Sequence, residues 1–283
     1  METYLESFLH YIEAVHTGSI NTTRAYRADI LEYLSFIKIN KINHLDNITY
    51  KQIDFFLYTI KTKEGNTIDI STISRKISSL TSYYRYLNEF TNIKMNPFLL
   101  YSVDKKKAAP EFLNIKEVNK LFRHIDVTTT LGRRNYTIIE VLYSCGLSVS
   151  ECCNLKCSDI NYDKSIIKIT ENKKEIRIIP IPSSEKKHFK EYEQNTRIFL
   201  LKEEEQDYFF LNEKGRKLSD RGIRYIIDDI GKKAKFKKKI NPQMLRNSFA
   251  KEKLKQGVSF ELLQYLLGHT NVATTKRYKK EEI

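Results

Sequence analysis

No run of apolar residues in this chain approaches the ~18 needed for a membrane-spanning helix, so the sequence offers no membrane anchor of that kind. The opening METYLESFLHYIEAV carries three glutamates instead of the basic-then-apolar order of a secretory leader, and a cytoplasmic location is expected. Cysteine is scarce. The four residues Cys145, Cys152, Cys153 and Cys157 crowd into thirteen positions, two of them adjacent and none near a histidine. That spacing fails the usual zinc-ligand patterns, so no metal is implied and the thiols are expected to be reduced core residues of one helix and its exit. Internal repeats are absent, and the only biased segment is KKAKFKKK at 232–239, with six lysines in eight positions. Acidic residues are the minority: 35 Asp and Glu face 49 Lys and Arg, giving a formal charge of +14 and a pI near 9.4. That balance favours a polyanionic partner such as nucleic acid.

At 283 residues the chain is too long for one small core, and its 41% hydrophobic content suffices for two. Apolar residues recur at helical spacing in YLESFLHYIEAV, TTRAYRADILEYLSFI, TYKQIDFFLYTI and TISRKISSLTSYYRYLNEF. These predict an all-helical domain over 1–102. Asn21, Thr22 and Thr23 are expected to open its second helix, and Ser71 and Thr72 its fourth, by offering side-chain oxygens to unpaired amides. Residues 103–110 read as an exposed linker bearing Lys105, Lys106 and Lys107 and closed by Pro110. From 111 to 283 the pattern is mainly helical again, in NIKEVNKLFRHI, RRNYTIIEVLYSCGL, DRGIRYIIDDIGKKA, PQMLRNSFAKEKLKQG and FELLQYLLGHT. Pro242 suits a first helical turn and Gly257 a helix stop. Between the second and third of these helices, SIIKITENKKEIRIIPIP places β-branched runs on either side of a polar turn and predicts a hairpin.

The tail GHTNVATTKRYKKEEI sets Tyr278 amid Lys276, Arg277, Lys279 and Lys280. Its phenol reads either as an amphipathic anchor or as a nucleophile held until positive charge brings a phosphate to it.

Taken together and in order, RRNYTIIEVLYSCGLSVSECCNLKCSDI, the hairpin, NPQMLRNSFAKEKLKQG and LLQYLLGHTNVATTKRY resemble the tyrosine recombinase (phage integrase) family, most closely its Xer-like members. The resemblance implies a mainly α, two-domain, C-shaped clamp on duplex DNA. A helical, SAM-like core-binding domain is followed by an α-rich catalytic domain with a small antiparallel sheet. It also implies cleavage and rejoining through a 3′-phosphotyrosine, without metal, ATP or other cofactor. A phosphodiester under attack becomes a more negative, five-coordinate species, which explains why such a site needs fixed cations and donors. Arginine suits the task because its planar fork meets two oxygens at once.

Carried across, the resemblance makes Tyr278 the nucleophile, Arg246 in MLRNSF one phosphate-binding arginine and His269 in LGH a proton handler. The family's hairpin lysine falls at Asn172, with Lys173 or Lys174 able to serve if the turn is shifted. Three further positions depart from the family pattern. Ser148 in GLSVSE stands where the first arginine is expected, and Gln243 and Asn247 stand where imidazoles are expected. Arg133, Arg134 and Arg177 are the candidates to supply the missing charge. Glu151 reads as an internal hydrogen-bond anchor. Arg177, the linker lysines, and Lys232, Lys233, Lys235, Lys237, Lys238 and Lys239 are candidate DNA contacts. Two readings stay open: an atypical or impaired DNA breaking and joining enzyme, and a noncatalytic DNA-binding paralogue. Either is expected to be a monomer in solution able to assemble on DNA, with room for a partner recombinase or other DNA-processing protein.

Overall fold

The computed structural model describes residues 2–15, 20–61, 69–101, 109–171, 174–202, 206–269 and 272–278. The chain divides into two compact units, Met1–Lys107 and Ala108–Ile283. The linker lysines Lys105, Lys106 and Lys107 and the hairpin residues Asn172 and Lys173 lie outside the described residues. Among the described residues no helix is long and apolar enough to cross a membrane.

The first unit contains α1 (Glu2–Val15), α2 (Ile20–Ile39), α3 (Tyr50–Lys61) and α4 (Ile70–Phe90). Their apolar stripes meet in one core that includes Leu5, Phe8, Ile30, Tyr33, Leu80 and Tyr84. Two helix starts differ from the sequence reading. Helix α2 already begins at Ile20, which puts Thr22 and Thr23 inside its first turn, with Thr23 buried. Helix α4 is capped by Asp69, whose carboxylate accepts the Ser71 amide at 3.3 Å and the Ser71 hydroxyl at 2.7 Å. A carboxylate two residues upstream thus takes the capping role and engages the serine expected to fill it.

Asp29 on α2 is a buried carboxylate, 2% exposed, that draws α4 onto α2. It accepts from Lys76 Nζ at 3.1 Å, from Ser79 Oγ at 3.1 Å and from Arg75. Asp29→Ala removes that acceptor, leaving Ser79 only the Lys76 carbonyl and Lys76 only Glu32. It is expected to cost about 2 kcal/mol of stability, read as a lowered denaturant midpoint at unchanged m.

The second unit contains α5 (Ile115–Arg123), α6 (Thr130–Ser144), α7 (Val149–Asn154), α8 (Ser183–Glu191), α9 (Asp220–Lys233), α10 (Pro242–Lys255), α11 (Phe260–Leu267) and α12 (Val272–Lys276). A three-stranded antiparallel sheet in the order β1 (Ile160–Asn161), β2 (Ile166–Glu171), β3 (Lys174–Pro180) contains the expected hairpin. Its register pairs Ile167 with Ile179 and Ile169 with Arg177.

Helix starts follow local chemistry. Asn114 and Glu117 form a reciprocal capping box on α5, and Asn241 caps α10 with Pro242 in the first turn. Gly257, at φ +80°, follows the end of α10.

Helices α7 and α8 and strand β1 were not legible as periodic segments. Helix α7 has six residues, too few to show a period, and β1 has two. Helix α8, SSEKKHFKE, buries only Phe189. The cysteines are also distributed differently from the expectation of one helix and its exit. Cys145 ends α6, Cys152 and Cys153 lie buried on α7, and Cys157 follows in a short turn; all four are free thiols.

Candidate active site

Helix α7 supplies the centre of the site through its N-terminus. Ser148 is the N-cap: its Oγ accepts from the Glu151 amide at 3.2 Å, and the Glu151 carboxylate accepts from the Ser148 amide at 2.7 Å. The S-x-x-E spacing of SVSE is the sequence signal for that box, and it was the missed indicator of α7. Ser148 therefore serves the local backbone, while Glu151 is fixed with one face toward the interior.

Two buried arginines from different elements converge on that carboxylate. Arg177, from β3, donates Nη1 to Glu151 Oε1 at 2.7 Å and Nε to the Leu266 carbonyl at 2.8 Å. Arg246, from α10, donates Nη1 to Glu151 Oε2 at 3.1 Å and Nη2 to the Leu267 carbonyl. The last carbonyls of α11, which a helix leaves unpaired, are thus taken by cations at the negative end of its dipole. Burial raises the Glu151 carboxyl, but the Arg177 bond and charge, the Arg246 charge and the Ser148 amide outweigh it and hold the pKa at about 2. Burial lowers the Arg246 pKa, opposed by Glu151.

The remaining groups come from the C-terminal elements. Tyr278 Oη donates to Asn247 Oδ1 at 2.9 Å, and the same oxygen accepts Gln243 Nε2 at 2.9 Å. Asn247 Nδ2 donates to the Glu111 carbonyl at 2.7 Å, which locks the amide's orientation. The Tyr278 ring packs against the small cluster of Phe249, Ala250, Leu263, Leu266 and Leu267 and lies parallel to the His269 ring at 6.5 Å. His269 Nδ1 is bonded to Thr275 Oγ1 at 2.9 Å, a buried partner that the sequence reading missed and that the T-T-K-R-Y run could have suggested. Burial raises the Tyr278 pKa, opposed by Arg246 and Arg277, so the phenol is protonated at neutral pH.

Burial and the Arg246 and Arg177 charges push the His269 pKa down to about 4. Its imidazole is neutral at physiological pH. The sign of the linkage follows: folding favours the neutral ring, so its contribution is present above the ordinary value of 6.5 and is lost as pH falls from there toward 4. An NMR titration of the folded protein is expected to place the His269 midpoint near 4, and a midpoint at 6 or above would refute the half-buried, cation-flanked setting.

Of the sequence candidates, Arg246, His269, Tyr278, Gln243 and Asn247 come together with Arg177 and Glu151. Arg133 is paired with Glu191, and Arg134 donates to the Leu211 carbonyl and to Asn135. Their bonds are thus made away from the Glu151–Arg246 pair. In the lysine run, Lys232 pairs with Asp228 at 2.8 Å, Lys233 with Asp229 at 2.7 Å, and Lys238 reaches Glu117 at 3.9 Å. Lys235, Lys237 and Lys239 are exposed.

The fold and this grouping define a class: a helix-rich chain of two units, the second gathering arginines, a histidine and a C-terminal tyrosine beside a small antiparallel sheet. Residues 111–282 match the phage integrase family, and residues 5–89 match its N-terminal SAM-like domain. The chain is 34% identical over 281 residues to the tyrosine recombinase XerC of Oceanobacillus iheyensis, covering 98% of this chain and 91% of the relative. It is 36% identical to that of Bacillus licheniformis, with the same coverage. Among solved structures, XerA recombinase matches 98% of this chain and 93% of its own at 27% identity and a TM-score of 0.54. The Tn1549 transposon integrase in complex with transposon right end DNA matches 97% and 94% at 18% identity and a TM-score of 0.75, a likeness of fold. The chain belongs to the phage integrase family of tyrosine recombinases.

Proposed function

We propose that this protein binds duplex DNA and cuts and rejoins it at a specific site, with Tyr278 as the nucleophile. The observation that carries this reading is the hydrogen bond of the Tyr278 phenol to Asn247, one residue from the buried Arg246 on α10, with the His269 ring parallel to that of the phenol. In the forward step the phenolic oxygen attacks phosphorus and forms a 3′-phosphotyrosyl bond. The bond from phosphorus to the 5′ oxygen breaks, the phenol loses its proton, and the leaving 5′ oxygen gains one. Arg246 holds a nonbridging oxygen whose charge grows along the way. Lys173 or Lys174 from the hairpin supplies the proton to the leaving oxygen. His269, neutral, can accept a hydrogen bond or a proton, whereas Asn247 orients the phenol and cannot take its proton near neutral pH. The reverse step rejoins the strand without an outside energy source.

Residues 1–102 serve core binding and 111–283 catalysis, joined by a basic linker at 103–110. The protein is a cytoplasmic monomer that assembles on DNA, with a partner recombinase accommodated. Exposed lysines such as Lys237 and Lys239 contact the backbone. Because phosphate contacts release counterions, affinity is expected to fall with salt at a log–log slope of about −0.9 per neutralised phosphate.

The noncatalytic alternative is favoured by Ser148, which caps a helix and carries no charge. One experiment separates the two. A duplex selected by the protein from a random-sequence pool is nicked just beyond each position in turn, so that cleavage releases a short fragment and traps the intermediate. The recombinase reading predicts a denaturant-resistant protein–DNA complex with wild-type protein and none with Tyr278→Phe at equal affinity. Tight binding without any such complex would leave the noncatalytic reading.

A further inference from the structure

The β3 strand carries a charged residue where its alternation calls for an apolar one. Arg177 and Ile179 share a face and are 4% and 1% exposed, whereas Ile176 on the opposite face is 47% exposed. A buried guanidinium is held only where its donors are used. Nε and Nη1 of Arg177 are used, on Leu266 and Glu151, but Nη2 is buried and has no hydrogen-bond partner among the described residues. The charges are also unbalanced. The side chains of Arg177 and Arg246 are 3% and 8% exposed and share one carboxylate, Glu151, while His269 is neutral. One uncompensated cation remains in a low-dielectric setting, a costly state that a second anion relieves.

Close approach of the backbone keeps Arg177 in this seat. Gly268 ends α11 at φ +64°, and a Cβ there would lie 2.5 Å from Arg177 Nη1 and 2.9 Å from its Cζ. With Arg133 and Arg134 engaged elsewhere, Arg177 is the member of the three sequence candidates that reaches the Glu151–Arg246 pair.

We propose that Arg177 supplies the positive charge that Ser148 does not, its Nη2 binding a nonbridging oxygen of the scissile phosphodiester beside Arg246. This rests on the recombinase reading above and names the second phosphate-binding residue of that same site. Arg177 is then a catalytic residue that enters from the sheet, and Glu151 is the positioning residue that holds both guanidiniums in register. Gly268 is required because any side chain there displaces the Arg177 fork.

The test uses the full chain and the duplex selected from the random pool, carrying at the scissile position either the natural phosphodiester or a neutral methylphosphonate. Arg177→Lys keeps a cation beside Glu151 and loses the fork. Single-turnover cleavage of the phosphodiester is expected to slow by about 10²- to 10³-fold with affinity nearly unchanged, the loss of one preorganised donor. On the methylphosphonate, which lacks the anionic oxygen that Nη2 would meet, the loss is expected to shrink below about tenfold by the same argument. Equal losses on both substrates, or no loss on the phosphodiester, would overturn the proposal.

If the variant fails to fold, crystals of Tyr278→Phe protein with the uncleaved duplex decide the matter. Nη2 within about 3.2 Å of a nonbridging oxygen upholds the assignment, and Nη2 on water or protein overturns it. Absence of any covalent complex with wild-type protein sinks the recombinase reading instead, and is thereby told apart from failure of the Arg177 assignment.

Discussion

Glu151→Gln is expected to destabilise the protein by about 3 kcal/mol, because it leaves two buried guanidiniums side by side without their shared counter-charge. At the usual 2–4 °C per kcal/mol for a domain of this size, the thermal midpoint falls by roughly 6–12 °C. The pH dependence gives a second route to the same quantity. The carboxyl is held at about 2 in the folded protein against an ordinary 4.5. Its contribution is therefore complete above pH 4.5 and is lost as pH falls through that window toward 2. A shift of this size corresponds to about 3 kcal/mol, in line with the substitution estimate. Denaturant titrations at pH 4.5 and pH 2, below most of the His269 window, read it: wild type loses stability between them, and Glu151→Gln loses less because this carboxylate is absent. A Glu151→Gln protein as stable as wild type at pH 7 would mean that the two arginines do not depend on this carboxylate.

Arg246→Lys is expected to slow covalent complex formation by about 10²- to 10³-fold while general DNA affinity holds. The guanidinium of Arg246 does two jobs at once, gripping Glu151 and the Leu267 carbonyl with separate nitrogens. It has five N–H groups, so those bonds leave donors for a phosphate oxygen. An ammonium is a single point and cannot meet all three partners in one geometry. The end of α11 is also expected to loosen, since one of its last carbonyls loses its partner, and His269 follows directly after that end. Rates on a nicked duplex and equilibrium affinity, measured on the same preparation, separate the chemical loss from a binding loss. A proportional fall in both would mark Arg246 as a binding residue without a special part in the reaction.

Much of the fold was legible because most long elements carry their own period and punctuation. NIKEVNKLFRHI holds both its capping box and its apolar face, and Pro242 and Gly257 bracket α10. The hairpin declared itself through two β-branched runs around ENKKE. Family membership was legible in the order of several short boxes. Local signals failed where structure depends on contacts far along the chain. Helix α8 is nearly all polar; it buries only Phe189 and is tied to α6 by the His188–Glu140 and Ser144–Glu185 hydrogen bonds. The start of α4 failed for a local reason instead: two nearby polar residues compete to cap, and the carboxylate of Asp69 captured the hydroxyl of Ser71.

The site shows the same division. Tyr278, Arg246 and His269 could be found from their motifs, yet nothing in IRIIP says that its arginine turns inward to join α7, α10 and α11. That outcome requires the strand register, the Ser148–Glu151 box and the close passage of Gly268 together. Thr275, which holds His269, was missed although it lies in the same TTKRY run as Tyr278.

The reaction hinges on the half-buried Tyr278 phenol attacking a DNA phosphate. Its most direct test is peptide mapping by mass spectrometry of the complex trapped on a nicked duplex, after nuclease trimming of the DNA. A nucleotide joined through its 3′-phosphate to the peptide containing Tyr278, at that residue, is the expected product. An adduct on any other side chain, or a 5′-linked nucleotide, would contradict it.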